Sequence, residues 1–337
     1  MCSELRTAYV GVYGTTPGCV VGQDLPQDVA GLEGHISSYI DDTSWLFRDD
    51  AASTGCALVR LHRHRRQYIN IFTGANDALW DKIQARGLDS FVGFLASAKW
   101  VHLTSLRDVF QFEQIFECVR AAKRINRHLI VSVDPGYDYT KNHWKTLREI
   151  LRGVDFVFLS RTEWSNLSLN LGLSMRSRML DLGSELIKVK ADPQMLILKS
   201  KRRTSLLSLI DGDPCVRTYF HRTLRFTRIR NDTGAGDAFA GGFVAGKLSP
   251  YMLSHQPAPI ELASIAARER LKTIKWPTEL KQKALQFFYG NMRNERLNRR
   301  QLFKIRLDIL KNPVLYFAAG IVTAVVGNVI WSLMAGR

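Results

Sequence analysis

An α/β fold with a doubly wound, mostly parallel sheet is what this chain predicts, and three observations predict it. Short apolar and β-branched runs alternate with segments of helical spacing from Ala75 to Leu198. The runs are apolar at nearly every position rather than at every second one, as strands covered on both faces are. Late in the chain a glycine-rich stretch, Asn231-Asp232-Thr233-Gly234-Ala235-Gly236-Asp237-Ala238-Phe239, opens a helix of small and apolar residues. At 337 residues and 46% hydrophobic content, one such domain and an appendage are within reach.

In order, Leu5 to Val12 reads as the end of a helix, Thr16 to Gly22 as a turn and short strand, and Asp28 to Ile40 as a helix. Ala57 to Leu61 and Gln67 to Phe72 alternate with period two around His62-Arg63-His64-Arg65-Arg66, which predicts a β-hairpin with a basic turn. Helix and strand then alternate. Trp80 to Arg86 is helical, Trp100 to Leu103 a strand, Val109 to Arg127 an amphipathic helix, and Leu129 to Val133 a strand ending in Asp134-Pro135. His143 to Leu151 is helical, and Phe156 to Leu159 and Met195 to Leu198 are strands, the last followed by a basic loop over Lys199 to Ser205. Pro259 to Ile274 completes the series as a helix.

The chemistry concentrates in the glycine-rich stretch. Gly234 and Gly236 allow a ligand close to the backbone, and free amides at a helix N-terminus attract an anion. A carboxylate in that place repels phosphate unless it serves another purpose. Asp237 makes sense as a base that orients a hydroxyl and accepts its proton while neighbouring amides neutralise a moving phosphoryl group. The bland alternative is a glycine-rich turn with an Asp cap.

Gly234-Ala235-Gly236-Asp237 followed by Ala238-Phe239 resembles the signature of the ribokinase-like (PfkB) family of sugar and nucleoside kinases. The resemblance implies a ribokinase-like sheet with a small β lid, to which the basic hairpin contributes. It also implies ATP and Mg²⁺ as cofactors, Asp237 as catalytic base, and Gly234, Ala235 and Gly236 as an anion hole. Ser160-Arg161-Thr162-Glu163 resembles the family's Asn-x-x-Glu motif, with Ser160 in place of Asn; Glu163 is the metal candidate, beside the bland reading of a carboxylate at a helix start. Asp134-Pro135 likewise resembles the family's Asp-Pro or is a turn cap. The family's two glycines beside the nucleotide are here Lys201 and Thr204. Asn231, Lys199, Lys201 and Thr204 are the nucleotide-binding candidates, the lysines acting by charge. Asp232 stands where the family has Thr or another small residue. The family's first strand and its Gly-Gly…Asn substrate motif precede the part that matches here, so the expectation is a chain read from a late start, with loss of the substrate grip as the alternative.

The tail predicts a membrane. Val314 to Ala335 carries no charge, and as a helix it reaches roughly 33 Å, enough to span a hydrocarbon core. Tyr316 and Trp331 lie near its ends, and Gly320, Ala324 and Gly327 form a stripe of small residues that suits a homodimer. Net charge is +16, and fourteen Lys/Arg against five Asp/Glu lie from Tyr251 onward. That placement favours an anionic membrane surface over a nucleic-acid partner, which is not expected. By the positive-inside rule the kinase domain faces the cytoplasm. Five scattered cysteines with no metal-ligand spacing suit a reducing compartment, and residues 1–24 lack a signal-peptide pattern.

The expected organisation is a kinase domain over 1–278, a basic amphipathic linker over 279–312 and a transmembrane anchor over 313–335. Two functions stay open: a membrane-anchored kinase acting on a hydroxyl of a sugar or nucleoside, and a catalytically silent scaffold of the same fold.

Overall fold

The computed structural model describes residues 5–14, 34, 40–54, 56–62, 65–104, 108–191, 193–200, 203–209, 214–220, 234–248, six positions between 259 and 267, and 328–334. Eleven strands occur among them: β1 (Leu5–Gly14), β2 (Asp42–Asp49), β3 (Cys56–His62), β4 (Arg65–Phe72), β5 (Trp100–Thr104), β6 (Ile130–Asp134), β7 (Phe156–Ser160), β8 (Met195–Lys199), β9 (Arg203–Ser208), β10 (Cys215–Phe220) and β11 (Asn328–Met334). Nine make one sheet in the order β10-β9-β8-β7-β6-β5-β11-β1-β2, and β3 pairs β4 separately. Strands β5 to β8 are parallel, β1 is parallel to β2, and β9, β10 and β11 join antiparallel.

The parallel centre follows from its composition. Val101, Leu103, Val131, Val133, Val157 and Leu159 face a core shared with the helices Val109–Ile125, Trp144–Leu151, Arg161–Asn170 and Met179–Lys188. The alternate residues Trp100, Phe156, Phe158 and Ile197 face a second core under the helix Ala235–Leu248. Both faces are therefore covered, and apolar runs without alternation are the result. The Asp155 carboxylate ties the layers together: it accepts from Lys123 Nζ at 2.7 and 2.8 Å, from the Val131 amide at 2.7 Å and from Gln194 Nε2 at 3.0 Å.

Several expectations change. Leu5–Gly14 is a strand, not the end of a helix. Ala8, Val10 and Val12 point to one core while Tyr9 and Tyr13 are buried as well, and a short apolar run of this kind is ambiguous between the two states. Asp42–Asp49, not expected as a strand, pairs with it. Asp41 secures the start of the pair by accepting from the Thr7 amide at 2.9 Å. The loop expected over Lys199–Ser205 is the turn of a hairpin whose second strand begins at Arg203, so Thr204 lies opposite Lys199 in a ladder. The basic hairpin is present as β3 and β4, with Arg65 and Arg66 inside the second strand rather than in the turn. Of the expected helix over 28–40, position 34 is helical, Ile40 is not, and the other positions, like residues 16–22, lie outside the described residues.

The tail brings the largest change. Asn328–Met334 is a strand between β1 and β5, antiparallel to both, so the continuous helix expected over 314–335 does not extend through these residues. Val329, Ile330 and Trp331 are β-branched or aromatic, the types that a pleated surface favours. Residues 313–327 and the linker 279–312 lie outside the described residues. Among the described residues no helix is long and apolar enough to cross a membrane.

The helix Ala235–Leu248 is held on the sheet by aromatic contacts. The Phe243 ring lies 5.5 Å from that of Phe158, 5.6 Å from Phe156 and 6.4 Å from Trp100, and Phe239 meets Phe158 at 6.5 Å. Phe243 is 1% exposed. We expect Phe243→Ala to lower the unfolding free energy of the chain by about 3–5 kcal/mol, the cost of emptying a buried aromatic position, measured by urea denaturation. A loss below about 1 kcal/mol would mean that this helix is not held by its aromatic face.

Candidate active site

Four chain segments converge at the carboxyl ends of the parallel strands, the place where open α/β sheets bind ligands. Asp134 ends β6, Ser160 ends β7 and Lys199 ends β8. Over them stands the N-terminus of the helix Ala235–Leu248. Gly234 enters that helix with φ of 78°, a left-handed conformation that glycine takes without steric cost. Its carbonyl accepts the Ala238 amide at 2.8 Å, which closes the first turn. The opening amides of any helix must find acceptors outside it, and here they stand over the strand ends. Asp237 lies in this turn and is half-buried.

Lys199 joins these parts. Its side chain is 13% exposed and its ammonium forms an ion pair with the Asp134 carboxylate. It passes the ring of Phe158 at 5.9 Å. A β-carbon added to Gly236 would come within 3.4 Å of Lys199 Nζ, so the ammonium packs against the glycine turn itself. Burial alone would lower the lysine's pKa, but the charges of Asp134, Glu163 and Asp237 outweigh it and hold the pKa above its usual value. Lys199 therefore stays charged.

Glu163 stands in the third position of the helix Arg161–Asn170 and closes a capping box. Its Oε2 accepts from the Ser160 amide at 2.6 Å, and Ser160 Oγ accepts from the Glu163 amide at 3.3 Å. Burial and then the neighbouring Asp134 charge raise the Glu163 pKa, against the opposing effect of Lys199 and the cap hydrogen bonds. Ser160, which stands in place of the Asn of the resembling motif, caps this helix.

Of the residues expected at the site, Gly234, Ala235, Gly236, Asp237, Glu163 and Lys199 come together. Thr204 does not join them as a nucleotide contact: it is 1% exposed, inside the β8–β9 ladder. Asn231 and Lys201 lie outside the described residues. Glu163 is engaged by its cap and Asp134 by Lys199, and among the described residues no group of three His, Cys, Asp or Glu is placed to hold a metal ion.

A buried polar chain beneath the site was missed. Trp100 Nε1–H donates to Ser132 Oγ at 2.7 Å, and Ser132 Oγ lies 2.7 Å from His102 Nδ1. Its signal was present as polar interruptions at one register of adjacent strands, His102 in β5 opposite Ser132 in β6. His102 Nε2 is buried without a hydrogen-bond partner. Burial lowers the His102 pKa from 6.5 to about 4, with Asp134 acting to raise it and Lys199 to lower it further. A cleft of about 430 Å³ lined by Glu113, Trp144 and Arg148 belongs to the helices on the opposite sheet face and is not part of this cluster.

Because the folded pKa of His102 lies below the unfolded one, its neutral burial is favourable above pH 6.5, and stability falls as pH drops from 6.5 toward 4. Between pH 7 and pH 5 this one group accounts for about 2 kcal/mol. Urea denaturation at the two pH values should show a difference smaller by that amount in His102→Gln. An unchanged difference would show that His102 does not titrate with unfolding.

Comparison with known proteins follows the same lines. The family model for "pfkB family carbohydrate kinase" matches residues 24–263. An uncharacterized sugar kinase of Archaeoglobus fulgidus is 23% identical over 247 residues, 72% of this chain and 84% of its own. Among solved structures, Giardia lamblia ribokinase aligns with a TM-score of 0.58 at 17% identity, covering 80% of this chain and 77% of that one. Anopheles gambiae adenosine kinase, in complex with P1,P4-di(adenosine-5) tetraphosphate, aligns with a TM-score of 0.59 at 20% identity, covering 79% and 73%. Schistosoma mansoni adenosine kinase with 2-fluoroadenosine gives 0.60 at 16% identity, covering 80% and 74%. The ribokinase-like α/β fold is common to all three.

Proposed function

This chain belongs to the pfkB family of carbohydrate kinases, and from that premise we propose that it transfers the γ-phosphoryl group of ATP to a hydroxyl of a sugar or nucleoside. One observation carries the reading: Asp237 and the glycine turn stand together over the carboxyl ends of β6 to β8. In the proposed reaction Asp237 orients the acceptor hydroxyl and takes its proton as the new O–P bond forms and the bond from the γ-phosphorus to the bridging oxygen breaks, ADP leaving with that oxygen. The amides around Gly234, Ala235 and Gly236 neutralise charge that develops on the transferred group, and a helix N-terminus is suited to this. Asn231 and Lys201 are assigned to the nucleotide side, and the β3–β4 hairpin to a lid over the acceptor. Support for ATP comes from the family and from neighbours solved with nucleotides, among them Xylella fastidiosa fructokinase with bound ATP.

A second reading, a silent scaffold of the same fold, is favoured by the Lys199–Asp134 pair and by the burial of Thr204. Calorimetry with ATP and a phosphotransfer screen over sugars and nucleosides separate the two. We expect measurable ATP binding and turnover, with Asp237→Asn reducing turnover by about 10²–10⁴-fold while binding is retained. Folded protein that binds no nucleotide at millimolar concentration would establish the scaffold.

We also assign the basic residues of 279–312 and the uncharged stretch 314–335 to attachment at a membrane, the kinase domain facing the cytoplasm, with Gly320, Ala324 and Gly327 suited to pairing two copies. Attachment in this form requires Asn328–Met334 to leave the sheet, since one segment cannot be both strand and membrane helix. Flotation with vesicles containing anionic lipid tests it. The full chain should float and a chain ending at residue 312 should not; a full chain that stays in solution, together with loss of stability on truncation, would assign the segment to the sheet instead.

A further inference from the structure

We propose that Lys199 completes the anion hole: its ammonium contacts the phosphoryl group during transfer, and Asp134 is the residue that places it there. The inference deepens the reading of the strand ends as a phosphotransfer site and rests on it.

The first turn of a helix offers N–H groups and roughly half a positive charge, whereas a phosphoryl group in transfer spreads its charge over three oxygens. A full positive charge beside the turn supplies what the amides leave uncompensated. Lys199 is the last residue of β8. Its side chain is 13% exposed and crosses Phe158, with Nζ 5.9 Å from the ring centre. Nζ stands 3.4 Å from where a β-carbon on Gly236 would be, and Gly236 is the second residue of the helix Ala235–Leu248. The ammonium thus reaches the turn whose amides the proposed reaction assigns to the transferred group.

Asp134 fixes a side chain that is otherwise flexible. It ends β6, one strand removed from β8, and its carboxylate, 12% exposed, accepts from Nζ. Burying an ammonium without such a partner is costly. A lysine ammonium has three donors, and this bond uses one of them; a non-bridging phosphoryl oxygen is the acceptor that the position suits. A charge already held in place responds to developing negative charge without reorganising. Lys199 forms no covalent bond and gives up no proton while the acceptor oxygen bonds to phosphorus and the bridging oxygen leaves with ADP.

The first measurement is the binding of inorganic phosphate to the full chain by calorimetry. We expect the native chain to bind it and Lys199→Met to bind it at least about tenfold more weakly, the worth of one hydrogen bond from a charged donor. Because Lys199→Met leaves a buried carboxylate unpaired, the same loss is read in a second background, Lys199→Met with Asp134→Asn against Asp134→Asn alone. Lys247→Met removes an equal charge from the last turn of the same helix, roughly 16 Å along its axis from Gly236, and should leave phosphate affinity within about twofold. No binding by the native chain, no loss in either Lys199 comparison, or an equal loss in Lys247→Met overturns the proposal.

Turnover then separates contact with the transferred group from contact with the nucleotide alone. Lys199→Met should lower kcat at saturating ATP by about 10²–10³-fold; a raised KM with kcat unchanged overturns the proposal. Positioning by Asp134 requires that Asp134→Asn also lower kcat and that adding it to Lys199→Met cost little more, and losses that multiply overturn that part. Phosphate binding that depends on Lys199 but comes without turnover removes the kinase reading and leaves the anion site. Turnover that is indifferent to Lys199 leaves the kinase reading and removes this one.

Discussion

A charged lysine buried at the end of β8 is the constraint on which the functional end of the molecule turns. An ammonium out of water is costly unless paired and hydrogen-bonded, so Lys199 requires Asp134 at the end of β6, and the registry of β6, β7 and β8 sets how far it must reach. The same nitrogen lies beside Gly236, 3.4 Å from where a β-carbon on that residue would stand. Three elements are coupled through one charge: two strand ends and the first turn of the helix Ala235–Leu248.

That helix in turn depends on the aromatic layer below it. Phe239 and Phe243 on the helix, and Trp100, Phe156 and Phe158 on the strands, form the smaller of the two cores. Close seating is possible because the helix is rich in small residues; a β-carbon on Gly246 would meet Pro259 Cα at 2.7 Å. The polar chain Trp100–Ser132–His102 runs within the same layer, which links the protonation state of a buried histidine to the ground on which the site stands.

A pfkB-family kinase needs a base, an anion-binding turn and compensation for phosphate charge. In the proposed reaction Asp237 and the glycine turn answer the first two. Lys199, at the end of β8, places a positive charge beside that turn. That charge was visible as part of a basic run from Lys199 to Arg203, but its direction was not: in sequence the run reads as facing solvent or phosphate, whereas Lys199 pairs with the Asp134 carboxylate.

By itself the sequence determined the parallel centre, because unbroken apolar runs such as Phe156–Leu159 and Met195–Leu198 are stable only with both faces covered. It also determined the glycine turn with its aspartate, because both the residue types and their spacing are local. Tertiary structure decided what depends on distant partners. Leu5–Gly14 is a strand because β2 and β11 lie beside it, and Asn328–Met334 is a strand because it pairs with β1 and β5; an apolar run alone does not choose between strand and helix. Thr204 is buried because it is laddered between β8 and β10. Lys199 is an internal cation because a carboxylate far away in sequence ends two strands over, and burial of a charge is settled only by what the fold brings to it.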